Sequence, residues 1–221
     1  MKIVTANTSH LKYAQTICDT IEEAAKKRGT GIAKRSSAYL ISKIRQGKAV
    51  IALDGQSFAG FCYIESWEHG KFVANSGLIV HPNYRGKGLA KKIKEHIFNL
   101  SRVKYPKAKI FGITTGLAVI KINSYLGYQP VTFSELTTDS SFWEGCKTCT
   151  NYDILQRTQQ KMCLCTGMLY DPENKLQKIR IKDKVFQRLK RIKENLFFKR
   201  EIKKKQQQKL NIKNLFLKTK V

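Results

Sequence analysis

The sequence predicts an α/β (α+β) fold: a mixed, mostly antiparallel sheet of about six or seven strands flanked by helices, with a cysteine-rich module and a basic helical tail. Short runs rich in Val, Ile and Phe alternate with segments whose apolar residues recur at helical spacing. Gly, Asp and Pro fall between those runs, where turns need them. One such turn is unusual: His81 to Ile97, HPNYRGKGLAKKIKEHI, places Gly86 and Gly88 between a strand-like run and a helix-like one. Glycine weakens both kinds of element, so two glycines here mark a strand-to-helix turn.

KIVTA, residues 2–6, reads as a first strand. Leu11–Lys27 follows as a helix, with Ser9 as its N-cap and Arg28-Gly29 closing it. The loop RGTGIAKRS leads to a second helix, SAYLISKIRQG, ending at Gly47. AVIALDG and SFAGFCYIES are strands joined at Asp54-Gly55, a hairpin signal. EHG turns the chain into the strand FVANSGLIV. Leu89, Ile93, Ile97 and Leu100 then define a helix from Gly88 to Arg102. A strand KIFGITT, a helix Leu117–Leu126 and a strand GYQPVTF complete the pattern β-α-α-β-β-β-α-β-α-β.

The chain has 221 residues, enough for one domain with a full core plus an appendage. No apolar run reaches membrane-spanning length, and the N-terminus MKIVTANTSHLKYAQ has no signal-peptide pattern. Six cysteines without such a signal are expected as thiols in a reducing cytoplasm. The net charge of +26 is unevenly spread: from Lys175 to Val221 there are 18 Lys and Arg against three acids. Expected boundaries are 1–135 for the core, 136–173 for the cysteine-rich module and 174–221 for the basic extension.

Arg85-Gly86-Lys87-Gly88-Leu89-Ala90 in this strand–turn–helix context resembles the phosphate loop of the GNAT superfamily, Q/R-x-x-G-x-G/A. The resemblance spans Met1 to Phe133 and implies a GNAT fold that takes acyl-CoA as donor. N–H groups from Gly86 to Ala90 can converge on a pyrophosphate at the start of the helix. Arg85, Lys87, Lys91 and Lys92 add positive charge there. The resemblance also implies that Leu78, Ile79 and Val80 pair through their backbone with the pantetheine arm.

In this family a tyrosine four residues before the glycine of the GF/GY pair often protonates the leaving thiolate. Here Gly127-Tyr128 is that pair and Asn123 holds the position, while Tyr125 lies two residues on. Such a shift turns a side chain by about 200°, so Tyr125 fits packing better than the acid role. Asn123 can hydrogen-bond the cofactor or the sulfur. The family's base is often a glutamate on the strand before the loop, and FVANSGLIV has none. Glu65, among apolar residues with no cation beside it in sequence, is the substitute or else an outward-facing strand residue.

The acceptor site of the family lies at the first helices, their connecting loop and the strand after the phosphate-loop helix. Arg28, Lys34 and Arg35 with two glycines between them suit a carboxylate-bearing acceptor, and also read as a solvated basic loop. Thr114 and Thr115 supply hydroxyls nearby. RGTGIAKR, FAGFCYIESW, RGKGLA and the later W-x-x-C-x-x-C, NYDILQRT and C-x-C-T stretches together resemble the Bacteroides-type glutamate N-acyltransferases of arginine biosynthesis. That implies acetyl or succinyl transfer to the α-amine of L-glutamate. Another amine, including a protein N-terminus or lysine, is the alternative acceptor.

Cys146-x-x-Cys149 and Cys163-x-Cys165 can close a structural zinc site or stand as reduced thiols in a loop-rich module. Cys18 and Cys62 lie in apolar runs and read as core. In the tail, Val185, Leu189, Ile192 and Leu196 fit an amphipathic helix. Its lysines bind any polyanion without base recognition, so nucleic-acid binding is the reading of a different class. A homodimer is compatible with the sequence.

Overall fold

The computed structural model describes residues 1–28 and 35–174. The chain divides into two units, Met1–Pro172 and Glu173–Val221, and every element below lies in the first. Strands β1 (Lys2–Thr5), β2 (Ala49–Asp54), β3 (Ser57–Trp67), β4 (Phe72–Val80), β5 (Lys109–Thr114), β6 (Gln129–Val131) and β7 (Thr166–Tyr170) form one sheet. Their order is β1-β2-β3-β4-β5-β7-β6. Every neighbouring pair is antiparallel except β4 with β5. The helices are α1 (Ala14–Arg28), α2 (Ser37–Arg45), α3 (Leu89–Lys104), α4 (Leu117–Tyr125), α5 (Ser140–Glu144) and α6 (Tyr152–Arg157).

The alternation of side chains along β3 explains why both faces of the sheet are covered. Cys62 and Ile64 join a cluster with Leu89, Ile93 and Ile97 of α3. Phe61 and Tyr63 join the opposite cluster with Ile17 and Ile21 of α1 and Leu40 and Ile44 of α2. Each such fully buried aliphatic side chain contributes about 1.5–3 kcal/mol. The hairpin at Asp54-Gly55 forms as the sequence predicts, with Gly55 at φ +59°.

Three boundaries differ from the sequence expectation. α1 starts at Ala14, because Asn7 rather than Ser9 is the capping residue, and it caps a separate short turn, Thr8–Tyr13. Asn7 Oδ1 accepts from the Ser9 N–H at 3.1 Å, and the Asn7 N–H donates to His10 Nδ1 at 3.0 Å. The GYQPVTF strand shrinks to Gln129–Val131, an edge strand where Pro130 is tolerated. β7, absent from the expected pattern, enters between β5 and β6. Between β6 and β7 the cysteine-rich stretch leaves the sheet and packs back on it. Phe142, Trp143 and Leu155 meet Phe72, Phe111 and Leu169 in a third cluster. The expected amphipathic helix of the tail lies outside the described residues. Among the described residues, no helix is long and apolar enough to cross a membrane.

Candidate active site

The parallel pair β4–β5 is hydrogen-bonded only over Phe72↔Lys109, Val73↔Ile110 and Ala74↔Phe111. Beyond that register β4 runs on to Val80 and β5 to Thr114 without pairing, so the sheet splits. Asn75 is the first β4 residue past the last pair, and its buried amide is used at both ends. Nδ2 donates to Ser101 Oγ on α3 at 2.7 Å, and Oδ1 accepts from the Tyr128 hydroxyl at 3.2 Å. These bonds tie β4 to α3 and to the turn after α4 where the strands part. Behind them Lys94 is only 2% exposed, its Nζ 5.2 Å from the Tyr128 ring centroid, and burial pushes its amine down to about 8.

A bulge lies within the split. Phe61 pairs with Ile79 and Tyr63 with Ser76, so Gly77 and Leu78 together oppose Cys62 alone. Gly77 takes φ +63°, and a Cβ there would stand 2.5 Å from Cε1 of Tyr63. Only glycine fits this position. Leu78 is half-buried and lines the cleft, whereas the side chains of Ile79 and Val80 point into the two cores, so any ligand contact of theirs runs through the backbone.

The phosphate loop follows directly. Gly86 and Gly88 have φ +78° and +74°, and Gly88 is the N-cap of α3 with no side chain capping the helix. Open space surrounds both glycines, so backbone conformation rather than tight protein packing selects them, and the first-turn N–H groups face a clear approach. Leu89 is buried and Ala90 packs partly against the same core. Lys87 is exposed. Arg85 also fastens the end of β4: its Nε donates to Val80 O at 3.0 Å.

The split opens into a cavity of about 650 Å³ on the α1–α2 side, lined by Arg35, Tyr39, Tyr63, Glu65, Phe142 and Cys146 among others. Arg35 Nε donates to the Tyr63 hydroxyl at 2.7 Å, and its guanidinium lies 5.6 Å from the Tyr39 ring centroid. Thr114 also lines the cavity, and its Oγ1 accepts the Gly116 N–H at 3.0 Å. Thr115 is exposed and outside the lining. The Arg28 side chain and Lys34 lie outside the described residues.

Glu65 corrects one expectation. A cation does stand beside it: Lys43 Nζ is 2.8 Å from Glu65 Oε2, contributed by α2 and invisible in the local sequence. The other oxygen, Oε1, is buried without a hydrogen-bond partner. Burial pushes the carboxyl up to about 7, opposed by the Arg35 charge. Burial, followed by the charges of Lys48 and Arg35, lowers the Lys43 amine. Desolvation thus draws the pair towards neutrality while the short contact favours the ion pair.

Asn123 sits as its position in the sequence requires, 1% exposed, with Oδ1 unpartnered and Nδ2 3.9 Å from where a Cβ on Gly112 would be. Tyr125 is not the packing residue the sequence suggests. It is 65% exposed at the end of α4, with Lys91 Nζ 3.5 Å from its ring centroid.

The four cysteines of the module come near one another without making a metal site. Among the described residues, no group of three or more His, Cys, Asp or Glu is placed to hold an ion, so the structure gives the zinc expectation no support. Cys146, Cys163 and Cys165 pack half-buried against the third cluster. Burial, then the neighbouring thiols, pushes Cys146 up to about 11 and Cys165 up to about 12. Cys62 is fully buried, as expected of a core residue.

Sequence reasoning missed Asn75, Gly77, Lys43 and Tyr63. Gly77, a glycine inside a strand pattern, carried a readable bulge signal. Lys43 and Tyr63 carried none, because their role comes from partners distant in sequence.

Residues 18–104 match the family model described as Acetyltransferase (GNAT) family. No curated protein matches the chain. Among solved structures, N-acetylglutamate synthase from Neisseria gonorrhoeae, complexed with coenzyme A and N-acetyl-glutamate, superposes at a TM-score of 0.56 and 15% identity over 77% of this chain. The chain spans only 34% of that enzyme's length. Rv2747 from Mycobacterium tuberculosis, in complex with CoA, gives 0.56 at 13% identity, covering 77% of this chain and 99% of its own. YncA from Salmonella typhimurium, with its cofactor acetyl-CoA, gives 0.53 at 16%, covering 77% and 93%. Sheet order, split, bulge and glycine loop agree with the family match: the chain has a GNAT fold, and residues 18–104 match the GNAT acetyltransferase model.

Proposed function

We propose that the chain transfers an acyl group, acetyl or succinyl, from acyl-CoA to the α-amine of a small acidic amino acid, L-glutamate. The observation that carries this reading is the cavity, which joins the split in the sheet to a wall bearing both Arg35 and Glu65. The loop from Gly86 to Ala90 takes the pyrophosphate, and the bulge at Gly77-Leu78 offers N–H groups free of the ladder to the thioester carbonyl. Arg35 suits the acceptor's carboxylate, and Glu65 Oε1, buried and unpartnered, suits its ammonium.

Transfer then needs no covalent enzyme intermediate. Glu65 takes a proton from the ammonium, and the free amine attacks the thioester carbon. The C–N bond forms, the nitrogen gives up its second proton to solvent, and the C–S bond breaks with its electron pair leaving on sulfur. The Asn123 amide hydrogen-bonds the thiolate, which takes its proton from solvent. The family resemblance and the fold of the Neisseria enzyme, solved with N-acetyl-glutamate, support glutamate as acceptor.

The test is a screen of acetyl- and succinyl-CoA against amino acids, small amines and peptide N-termini, following thiol release. Glutamate-dependent release supports the reading. Release with neutral amines or peptides and none with glutamate overturns the acceptor.

A further inference from the structure

Tyr125 is an aromatic ring in an unexpected place. Among the described residues it is the only aromatic among the strongly exposed large apolar side chains, at 65%. It ends α4, and the structure gives it no hydrogen bond. One face of the ring is covered: Lys91 Nζ stands 3.5 Å from the ring centroid. Lys91 belongs to the first turn of α3, three residues after Gly88, beside the N–H groups of the phosphate loop. The other face of the ring is open to solvent.

We infer that Tyr125 is the stacking platform for the purine base of the acyl-CoA nucleotide, with Lys91 bridging ring and phosphates. This rests on the reading of acyl-CoA as donor. The base of such a donor is joined through one ribose to the diphosphate that the loop would hold. A flat ring anchored at the loop's edge is therefore within one nucleoside of its ligand. Base–aromatic stacking needs only two π faces in contact, which an exposed ring backed by an ammonium supplies at little reorganisation cost. The phenol hydroxyl is not required. The interaction concerns grip on the donor, leaving the chemistry at Glu65 and Asn123 untouched.

Two probes separate this role from a general one. Coenzyme A carries the base, and 4′-phosphopantetheine lacks it. In calorimetry on the full chain, Tyr125→Ala is expected to weaken coenzyme A about tenfold, in the range of one lost base stack, and to change 4′-phosphopantetheine less than about twofold. Tyr125→Phe should bind both as the unaltered chain does. Tyr125→Trp should show indole emission quenched by coenzyme A and unquenched by 4′-phosphopantetheine. Unchanged coenzyme A affinity in Tyr125→Ala, or equal loss for both probes, overturns the inference. An unaltered chain that takes up neither probe overturns the donor reading and this inference with it.

Discussion

The two sides of the cavity are built in opposite ways. On the proposed reading, the donor side comes from one continuous stretch, β4, the glycine loop and α3, within residues 72–104. The proposed acceptor side gathers Arg35, Lys43 of α2, Glu65 of β3 and Cys146 beyond α5, from separate parts of the chain. A contiguous site fixes its geometry through backbone conformation, so it depends on a few irreplaceable glycines. A convergent site depends on the charges its members impose on one another, so it is tuned by pairs such as Glu65 with Lys43.

The donor side should therefore break hardest at a single backbone position. Gly88→Arg should weaken coenzyme A binding by more than about 100-fold, because the side chain fills the anion's approach and φ +74° resists any L residue. Open space around Gly88 means the fold has room for the change. Calorimetry together with a thermal melt checks this: near-normal melting with lost binding is expected, and unchanged affinity would remove the loop from the donor site.

On the acceptor side, chemistry rather than binding should suffer next. Glu65→Gln should lower kcat about 100-fold, the size of a lost general base, with the KM for the donor unchanged. The pH profile gives a sharper reading. Burial holds the Glu65 carboxyl at about 7. Below that value it is protonated and unable to accept the ammonium proton; above it the carboxylate can. Activity of the unaltered chain should rise with pH through about 7, and that limb should vanish in Glu65→Gln. A limb that persists assigns the base elsewhere.

The same contrast explains what was legible in the sequence. Gly86 and Gly88 announce themselves, because a positive φ demands glycine and the flanking periodicities show where the turn lies. The strand–helix order was readable for the same reason, from Ile93 and Ile97 at helical spacing and Phe61 and Tyr63 at alternate positions. β7 was missed because TGMLY is short, and its place between β5 and β6 depends on a pairing across more than fifty residues of chain. Lys43 could not be joined to Glu65 from sequence, since helix and strand positions 22 residues apart meet only once the helix is docked. Asn123 was located by its offset from Gly127, but Tyr125 gained meaning only once its ring was found exposed beneath Lys91.

Arg35 gives a third, smaller effect. Arg35→Ala should raise the KM for the acidic acceptor about 10- to 100-fold, the range for a lost charged hydrogen bond, and leave the donor KM within about twofold. Steady-state kinetics with each substrate varied in turn measures both. Equal changes in the two constants would point to damage at Tyr63, which loses its 2.7 Å partner in this variant.

Asn75 lies where the two sides meet, and it should give the mildest effect and the most informative one. Its amide holds Ser101 and Tyr128 at the point where β4 leaves β5. Asn75→Ala removes both partners from a buried site. Ser101 keeps its bond to Ile97 O at 2.8 Å, while the Tyr128 hydroxyl, on a fully buried ring, is left without the acceptor it uses here. The cost should be about 1–3 kcal/mol, the penalty for one unsatisfied buried polar group. Asn75→Asp is the instructive companion. It keeps an acceptor for Tyr128 and for the Ser101 hydroxyl, which can rotate to donate. If the amide serves only to satisfy its neighbours, Asp should recover most of the stability lost in Ala, and both variants should keep the unaltered KM for donor and acceptor. If the amide sets the width of the split, kcat should fall in Ala beyond what its stability explains, because the thioester would no longer be presented at a fixed distance from Glu65. We expect the second pattern, with a fall in kcat of about tenfold. Denaturant melts and kinetics on the two variants decide it, and a loss of stability with kcat unchanged would reduce Asn75 to a structural residue.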